Sequence, residues 1–251
     1  MKANYGVDAP GLVKTFLLIS VLCFVTSLIL WGFFVPQRVW ASWVAGLLLV
    51  PAVYALGMFC LMLWESLVTK IISREVILDQ LHWTGAEVVL DVGCGRGLMV
   101  VAAARRLTTG RAMGVDIWLQ KDQASNDKAV PLVNAQIEGV EDRVTIQTAD
   151  MRHLPFADGA FDVVVSSWAV HNLDTKEDRL AALKEIYRVL TPEGTLLLTD
   201  IVNRKEYAAE LQKLGMNSVE IFVESKVKDW LLSAVSFGAY QPATVLARKG
   251  W

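Results

Sequence analysis

Two runs without a charged residue constrain this chain more than any other feature. They are Thr15–Phe34, TFLLISVLCFVTSLILWGFF, and Ala41–Leu63, ASWVAGLLLVPAVYALGMFCLML. Coiled as helices at 1.5 Å per residue, each reaches roughly 30 Å, one hydrocarbon core of a bilayer. Only VPQRVW separates them, so the pattern predicts an antiparallel transmembrane hairpin over residues 1–64. Trp31, Phe33, Phe34, Trp40 and Trp43 gather around the connection and Trp64 marks the far end, at the headgroup depth such rings favour. Pro51 cannot bond back to Leu47 and predicts a kink in the second span. A cleaved signal peptide would have a shorter apolar stretch and no second span directly behind it.

Charge bias sets the orientation. Lys2, Lys14 and the terminal amine flank one end of the hairpin, Lys70 and Arg74 follow the other, and the connection holds only Arg38. The N-terminus and everything after the hairpin are therefore expected on the cytoplasmic side. The small-xxx-small pair Ala41 and Ala45 is too weak to predict association, and a homo-oligomer through these helices stays open.

Hydrophobic residues make up 54% of the chain and charged residues 20%, but the excess sits in the first 65 residues. The remainder reads as an ordinary soluble domain. A net charge of −2 gives no electrostatic case for nucleic acid as a partner. Cys23, Cys60 and Cys94 have no metal-ligand spacing, so neither a metal site nor a disulfide framework is expected.

Residues 65–86 read as a connecting amphipathic helix. Leu67, Ile71, Ile72, Val76, Ile77 and Leu81 form its apolar stripe, with Lys70, Arg74 and Asp79 off it. Over residues 87–251 strands and helices alternate. Strands are predicted at 87–92, 112–117, 144–148, 161–166 and 195–200, and helices at 98–107, 127–139, 176–190 and 205–214. That order specifies a Rossmann-like, doubly wound, mostly parallel α/β sheet covered on both faces. Residues 218–223 and 243–247 read as a closing antiparallel pair at its edge.

The apolar run EVVLDV breaks into GCGRG at the first strand's end. Gly93, Gly95 and Gly97 give G-x-G-x-G; the dinucleotide pattern would put a glycine at Leu98, and no G-K-S/T follows to make a phosphate loop. Asp116 ends the second strand about 20 residues on, where an acid accepts both hydroxyls of an unphosphorylated ribose.

VLDVGCGRG, GVDIW, TADMRHLPF, FDVVVSSWAVHNL and EIYRVLTPEGTLLLTD follow in order. Together, over roughly 88–200, they resemble the class I S-adenosylmethionine-dependent methyltransferases. The resemblance implies S-adenosylmethionine as cofactor and S-adenosylhomocysteine as product. It implies Gly93 and Gly95 under the methionine part, with Cys94 a small residue in the turn between them. Asp91 would meet the amino end, Asp116 the ribose, and Ile117 the adenine face. Asp150 would accept from the adenine amine with Met151 beside it, and Ser166 or Ser167 would lie near the methionine end. His171, just past the fourth strand, is the candidate general base, with Asn172 and Trp168 beside it; a histidine that shapes the turn is the alternative. Asp162 reads as structural, and Arg188 and Glu193 as parts of a solvated turn.

The acceptor is left to 65–86, 118–126 and 203–242, the last containing Phe222, Trp230, Phe237 and Tyr240. A small molecule that partitions into the bilayer fits the hairpin. A soluble amine or thiol, or a non-catalytic cofactor-binding regulatory module, are the competing readings, and a nicotinamide oxidoreductase is disfavoured by Leu98.

Overall fold

A computed structural model describes residues 2–34, 38–119 and 127–250, the Phe34 side chain excepted. The middle of the hairpin connection and residues 120–126 of the expected acceptor-facing stretch lie outside the described residues. The chain divides into two compact units, one over residues 6–70 and one joining residues 2–5 and 71–119 to 127–250.

The smaller unit is built on α1 (Pro10–Ile29) and α2 (Val39–Trp64). Both are apolar all round, as a helix with no polar side to show must be. Their seam is made of small residues. Ala41, Ala45, Ala52 and Ala55 of α2 are buried, as are Ser20 and Ser27 of α1. The Ser20 hydroxyl donates to the Ala52 carbonyl at 2.9 Å and that of Ser27 to Ala45 at 2.8 Å, a register that makes the pair antiparallel. The alanine pair too weak to predict contact lies inside this contact. Trp31, Phe33, Trp40, Trp43 and Trp64 are all exposed. Pro51 lies inside α2 without ending it. Lys70 is buried and donates to the Gly6 carbonyl and Asp8.

The larger unit is a seven-stranded sheet in the order β3-β2-β1-β4-β5-β7-β6. Its strands are β1 (Val88–Val92), β2 (Arg111–Asp116), β3 (Val144–Thr148), β4 (Phe161–Ser167), β5 (Leu190–Asp200), β6 (Met216–Phe222) and β7 (Ala243–Lys249). The first five are parallel, and β7 enters antiparallel between β5 and β6. α3 (Lys70–Leu78), α4 (Leu98–Ala104) and α5 (Ala129–Ile137) contribute to one core layer with β1 and β2. α6 (Lys176–Val189) and α7 (Arg204–Lys213) contribute to the other. α8 (Lys226–Val235), which the sequence pattern did not predict, follows β6. The order reverses at β1, whose neighbours are β2 and β4. A cleft opens beyond the carboxyl ends of strands at such a switch point.

Two expectations need correction. The stripe of 65–81 does not act as one face: Ile77 and Leu78 are buried, Leu67, Ile72 and Val76 are exposed, and Arg74, assigned to the polar side, is buried. Arg74, Ile77 and Leu78 stand at i, i+3 and i+4, so one regular side of α3 turns inward and takes Arg74 onto Glu138. Arg188 is not in a solvated turn. It sits at the end of α6 and binds Glu185, Asp158 and the carbonyls of Leu154 and Phe156.

Candidate active site

The glycine turn is forced by its neighbours. Gly93, Gly95 and Gly97 all have φ between 48° and 85°, where a side chain is strained. A Cβ at Gly93 would also stand 2.3 Å from the Ala169 side chain and 3.4 Å from Met151 Cε, and one at Gly97 2.9 Å from Pro131. The turn hangs from β2: Gly93 and Cys94 N–H donate to the Val115 carbonyl at 2.8 and 3.0 Å. Cys94 is buried, and burial with Asp91 and Asp116 nearby pushes its thiol well above its usual range, so it packs as an uncharged group.

Asp91, one residue before the end of β1, is almost fully enclosed. Its Oδ2 accepts from the Val100 N–H at 2.9 Å, while Oδ1 is buried with no hydrogen-bond partner among the described residues. Burial is the main cause that raises its pKa to about 8; Val100 opposes this and the Asp116 charge adds to it. An orphaned carboxylate oxygen above a glycine turn that tolerates no side chain fits the amino end of S-adenosylmethionine.

Asp116 accepts from the Gly95 N–H at 2.9 Å and the Trp118 N–H at 2.7 Å, so it pins the turn from the next strand. Ile117 is exposed, in keeping with a ring face, and Trp118, in the left-handed region, donates its indole N–H to Thr148 at 2.8 Å. Asp150 does not stand open. The Arg152 guanidinium grips both its oxygens, at 2.6 Å at the closest, and holds its carboxyl below the usual range. The adenine role implied by the resemblance therefore requires Arg152 to give way. Ser166 is fully buried with its hydroxyl on the Val92 carbonyl at 2.8 Å, a tie between β4 and β1. Ser167 is half-buried. Asp162 accepts from the Val88 N–H at 2.9 Å and is structural.

The β4 exit brings the catalytic candidates together. Trp168 has φ 55°, donates its N–H to Thr199 and stands edge to face with Tyr240, centroids 6.0 Å apart. Asn172 is exposed and reaches the Trp168 carbonyl at 3.4 Å. His171 is held at two points by Asp200, the last residue of β5: its N–H donates to Oδ2 at 3.1 Å and its Nδ1 lies 2.5 Å from Oδ1. Asp200 is 1% exposed and also accepts from Ile201 N–H and the Tyr207 hydroxyl. An ionised carboxylate only accepts, so Nδ1 carries a proton there, and in the neutral ring Nε2 presents a lone pair. Because Ala169 packs on Gly93, this imidazole sits two residues from the floor of the cofactor turn.

Asp200 and Asn134 are the site residues the sequence did not suggest. Asn134, buried in α5, accepts from Asn4 N–H at 2.9 Å and donates to the carbonyls of Asn4 (3.0 Å) and Arg96 (2.8 Å); Arg96 Nε returns a bond to Asn4 O at 3.0 Å. The N-terminal residues are thus tied to the glycine turn. Among the described residues no cluster of histidine, cysteine and acids could hold a metal ion.

Residues 90–198 match the family model described as a methyltransferase domain. The chain is 35% identical over 130 residues to the methyltransferase GfsG of Streptomyces halstedii, covering 52% of this chain and 43% of that protein. It is 33% identical over 125 residues to the demethylmenaquinone methyltransferase of Lactiplantibacillus plantarum, covering 49% of each. The chain spans about half the length of these curated relatives. The geranyl diphosphate C-methyltransferase of Streptomyces coelicolor A3(2), solved with Mg²⁺, geranyl diphosphate and S-adenosyl-L-homocysteine, superposes with a TM-score of 0.54 at 16% identity, over 76% of this chain and 84% of that one. The last likeness concerns the fold, which is the class I methyltransferase fold.

Proposed function

We propose that this chain, whose residues 90–198 match a methyltransferase domain, is a membrane-anchored, S-adenosylmethionine-dependent methyltransferase of the class I kind acting on a small acceptor that partitions into the bilayer. One observation carries the catalytic part: His171, pinned by the buried Asp200, at the mouth beside Gly93.

Bound there, S-adenosylmethionine supplies a methyl group already activated on a sulfonium. The chain's task is then to hold the two reactants in line and to manage one proton. Gly93 and Gly95 let backbone approach the methionine part, and Asp91 Oδ1 meets its ammonium. Asp116 takes the ribose hydroxyls, Ile117 covers the adenine face, and Asp150 and Met151 line the adenine edge. Ser167 lies at the methionine end, with Cys94 as turn filler and Ser166 as support. Nε2 of His171 accepts the proton of the attacking acceptor atom, while Asp200 keeps the imidazole in the right tautomer and stabilises the imidazolium that forms. Trp168 and Asn172 flank that position and orient the acceptor.

The apolar pair α1 and α2 supports the anchor: both are long enough to span and expose large apolar side chains nearly all round. Lys2, Lys14, Lys70 and Arg74 put both ends in the cytoplasm. We assign residues 1–64 to the anchor, 65–86 to the connection and 87–251 to catalysis, with residues 2–5 returning to the catalytic unit. A relative that methylates a quinone precursor supports an acceptor of lipid character.

The test uses the full chain in lipid nanodiscs with isotope-labelled S-adenosylmethionine and a membrane extract. The expected product is a labelled, solvent-extractable lipophile identified by mass; a labelled water-soluble amine or thiol overturns the acceptor class. His171→Ala should keep cofactor affinity and lose about 10²–10⁴-fold in turnover. Unchanged turnover overturns the base, and absence of any labelled product overturns the enzyme.

A further inference from the structure

α8 is built inside out. On a helical wheel Leu232, Asp229 and Ser233 share the side that meets the body of the catalytic unit. Leu232 is buried, Asp229 binds the Arg204 guanidinium at 3.1 Å, and Ser233 accepts from Gln241 at 3.1 Å. The opposite side carries Val227, Trp230, Leu231 and Val235, at the i, i+3, i+4, i+8 spacing of one stripe. That stripe faces water: Val227 is 69% and Trp230 68% exposed, and Phe237 just beyond the helix is 89% exposed. A surface helix normally turns such residues inward and its polar ones out. Contiguous exposed apolar surface on one side is a binding feature.

We propose that α8 and Phe237 form a docking surface for an acidic bilayer, with the helix lying in the plane of the headgroups. Three observations select a bilayer. Lys226 and Lys228 sit on either edge of the stripe, at about 100° from its centre, where cations snorkel to lipid phosphates. The exposed apolar set contains an indole and a phenyl ring, the groups that settle at the interface. The same polypeptide contains two helices of spanning length, so a bilayer is the surface at hand. The stripe also lies close in sequence to Tyr240, whose ring meets Trp168 at the site mouth. Docking along α8 would open that mouth toward lipid-dissolved acceptors. The inference relies on the anchored reading only for the presence of the membrane, and the test separates the two.

The full chain with Cys23→Ser, Cys60→Ser and Leu231→Cys is labelled at residue 231 with an environment-sensitive nitrobenzoxadiazole; the buried Cys94 stays. It is reconstituted into vesicles of phosphatidylcholine and phosphatidylglycerol, with a second sample labelled at Glu177→Cys, an exposed position on α6. Flotation reports the anchor and the label reports the helix. The expected result is blue-shifted emission at 231, quenched by brominated acyl chains and shielded from aqueous iodide, with neither effect at 177. Lys226→Glu should reduce the lipid quenching, most in vesicles with phosphatidylglycerol. A chain that floats while the 231 label stays open to iodide overturns the docking and leaves the anchor. A blue shift without lipid quenching identifies a protein partner or a second copy and also overturns it. A chain that leaves the vesicles on flotation overturns anchor and docking together. Cofactor binding by each labelled sample shows that the fold is intact.

Discussion

Asp91 shows at a single residue a cost in stability that its proposed cofactor role would explain. A carboxyl whose folded-state pKa is about 8, against 3.8 in an unfolded chain, keeps its proton in the fold across the range where the unfolded chain loses it. The unfolded state is thereby favoured: stability falls as pH rises from about 4 and is lowest above 8. Asp91→Asn removes the titration and can still accept from Val100 N–H. It should raise the melting temperature at pH 8, by on the order of 2–4 kcal/mol of stability, with little gain at pH 4. The same variant should bind S-adenosylmethionine at least about tenfold more weakly, because the ammonium loses its counter-charge. Calorimetric melts at both pH values and a cofactor titration check both halves. A variant no more stable at pH 8 than the parent sinks the idea that Oδ1 is held in strain.

Site residues differed in how legible they were. The places of Asp91, Gly93 and Asp116, at the end of a strand or in a tight turn, could be read because they are set within a few residues. Asp200 could not: it is the last residue of a strand 29 positions after His171, and only the pairing of β4 with β5 brings the two together. Asp116 was half read. Its bonds to Gly95 and Trp118 mean that Asp116→Ala would disturb the turn as well as the sugar contact, so an affinity loss there does not isolate the ribose.

Among the elements, the parallel strands were the easiest to foresee, because buried strands read as apolar runs bounded by glycine. β5 begins five residues before the expected Thr195 only because Leu190 pairs with Phe161 ahead of the bulging Thr-Pro-Glu-Gly turn. α8 escaped prediction because its apolar stripe faces away from the core. The inward side of α3 was unreadable because a cation, Arg74, is among its buried residues. In the hairpin, length and apolarity were plain, but the seam was hidden: alanine and serine mark contact only when a partner backbone lies against them. That seam makes a prediction of its own. Ala45→Leu pushes three carbons into a position with no exposure, beside the Ser27 bond, and should cost about 1–3 kcal/mol of helix association. Val50→Leu, on an exposed position of the same helix, should cost nothing measurable. Dodecyl sulfate titration of the reconstituted chain, followed by tryptophan fluorescence, compares them. Equal midpoints would mean the alanine face does not hold the pair.

At the scale of the whole molecule, the catalytic unit does not begin where the hairpin ends. Residues 2–5 precede α1, yet they pack in the same compact unit as the sheet. Asn4 is held by Asn134 and Arg96. Tyr5 is buried, donates its hydroxyl to Glu138 and lies under the Arg74 guanidinium, 4.9 Å from the ring centre. Arg74 in turn pairs with Glu138 and Glu75. Cutting the chain to residues 71–251, the natural choice for a soluble version, takes from the Asn134 amide its bonds to Asn4 and from the Glu138 carboxylate its bond to Tyr5, and strips the ring from Arg74. Each lost hydrogen bond costs about 0.5–1.5 kcal/mol, so the truncated unit should melt below the same fragment with residues 2–5 restored by a short fusion ahead of residue 71. Its affinity for S-adenosylmethionine should fall in parallel, because Asn134 and Asn4 together hold Arg96 within the glycine turn. Thermal shift and cofactor titration on the two fragments decide the matter. If both melt and bind alike, the N-terminal residues are passengers and the glycine turn holds itself.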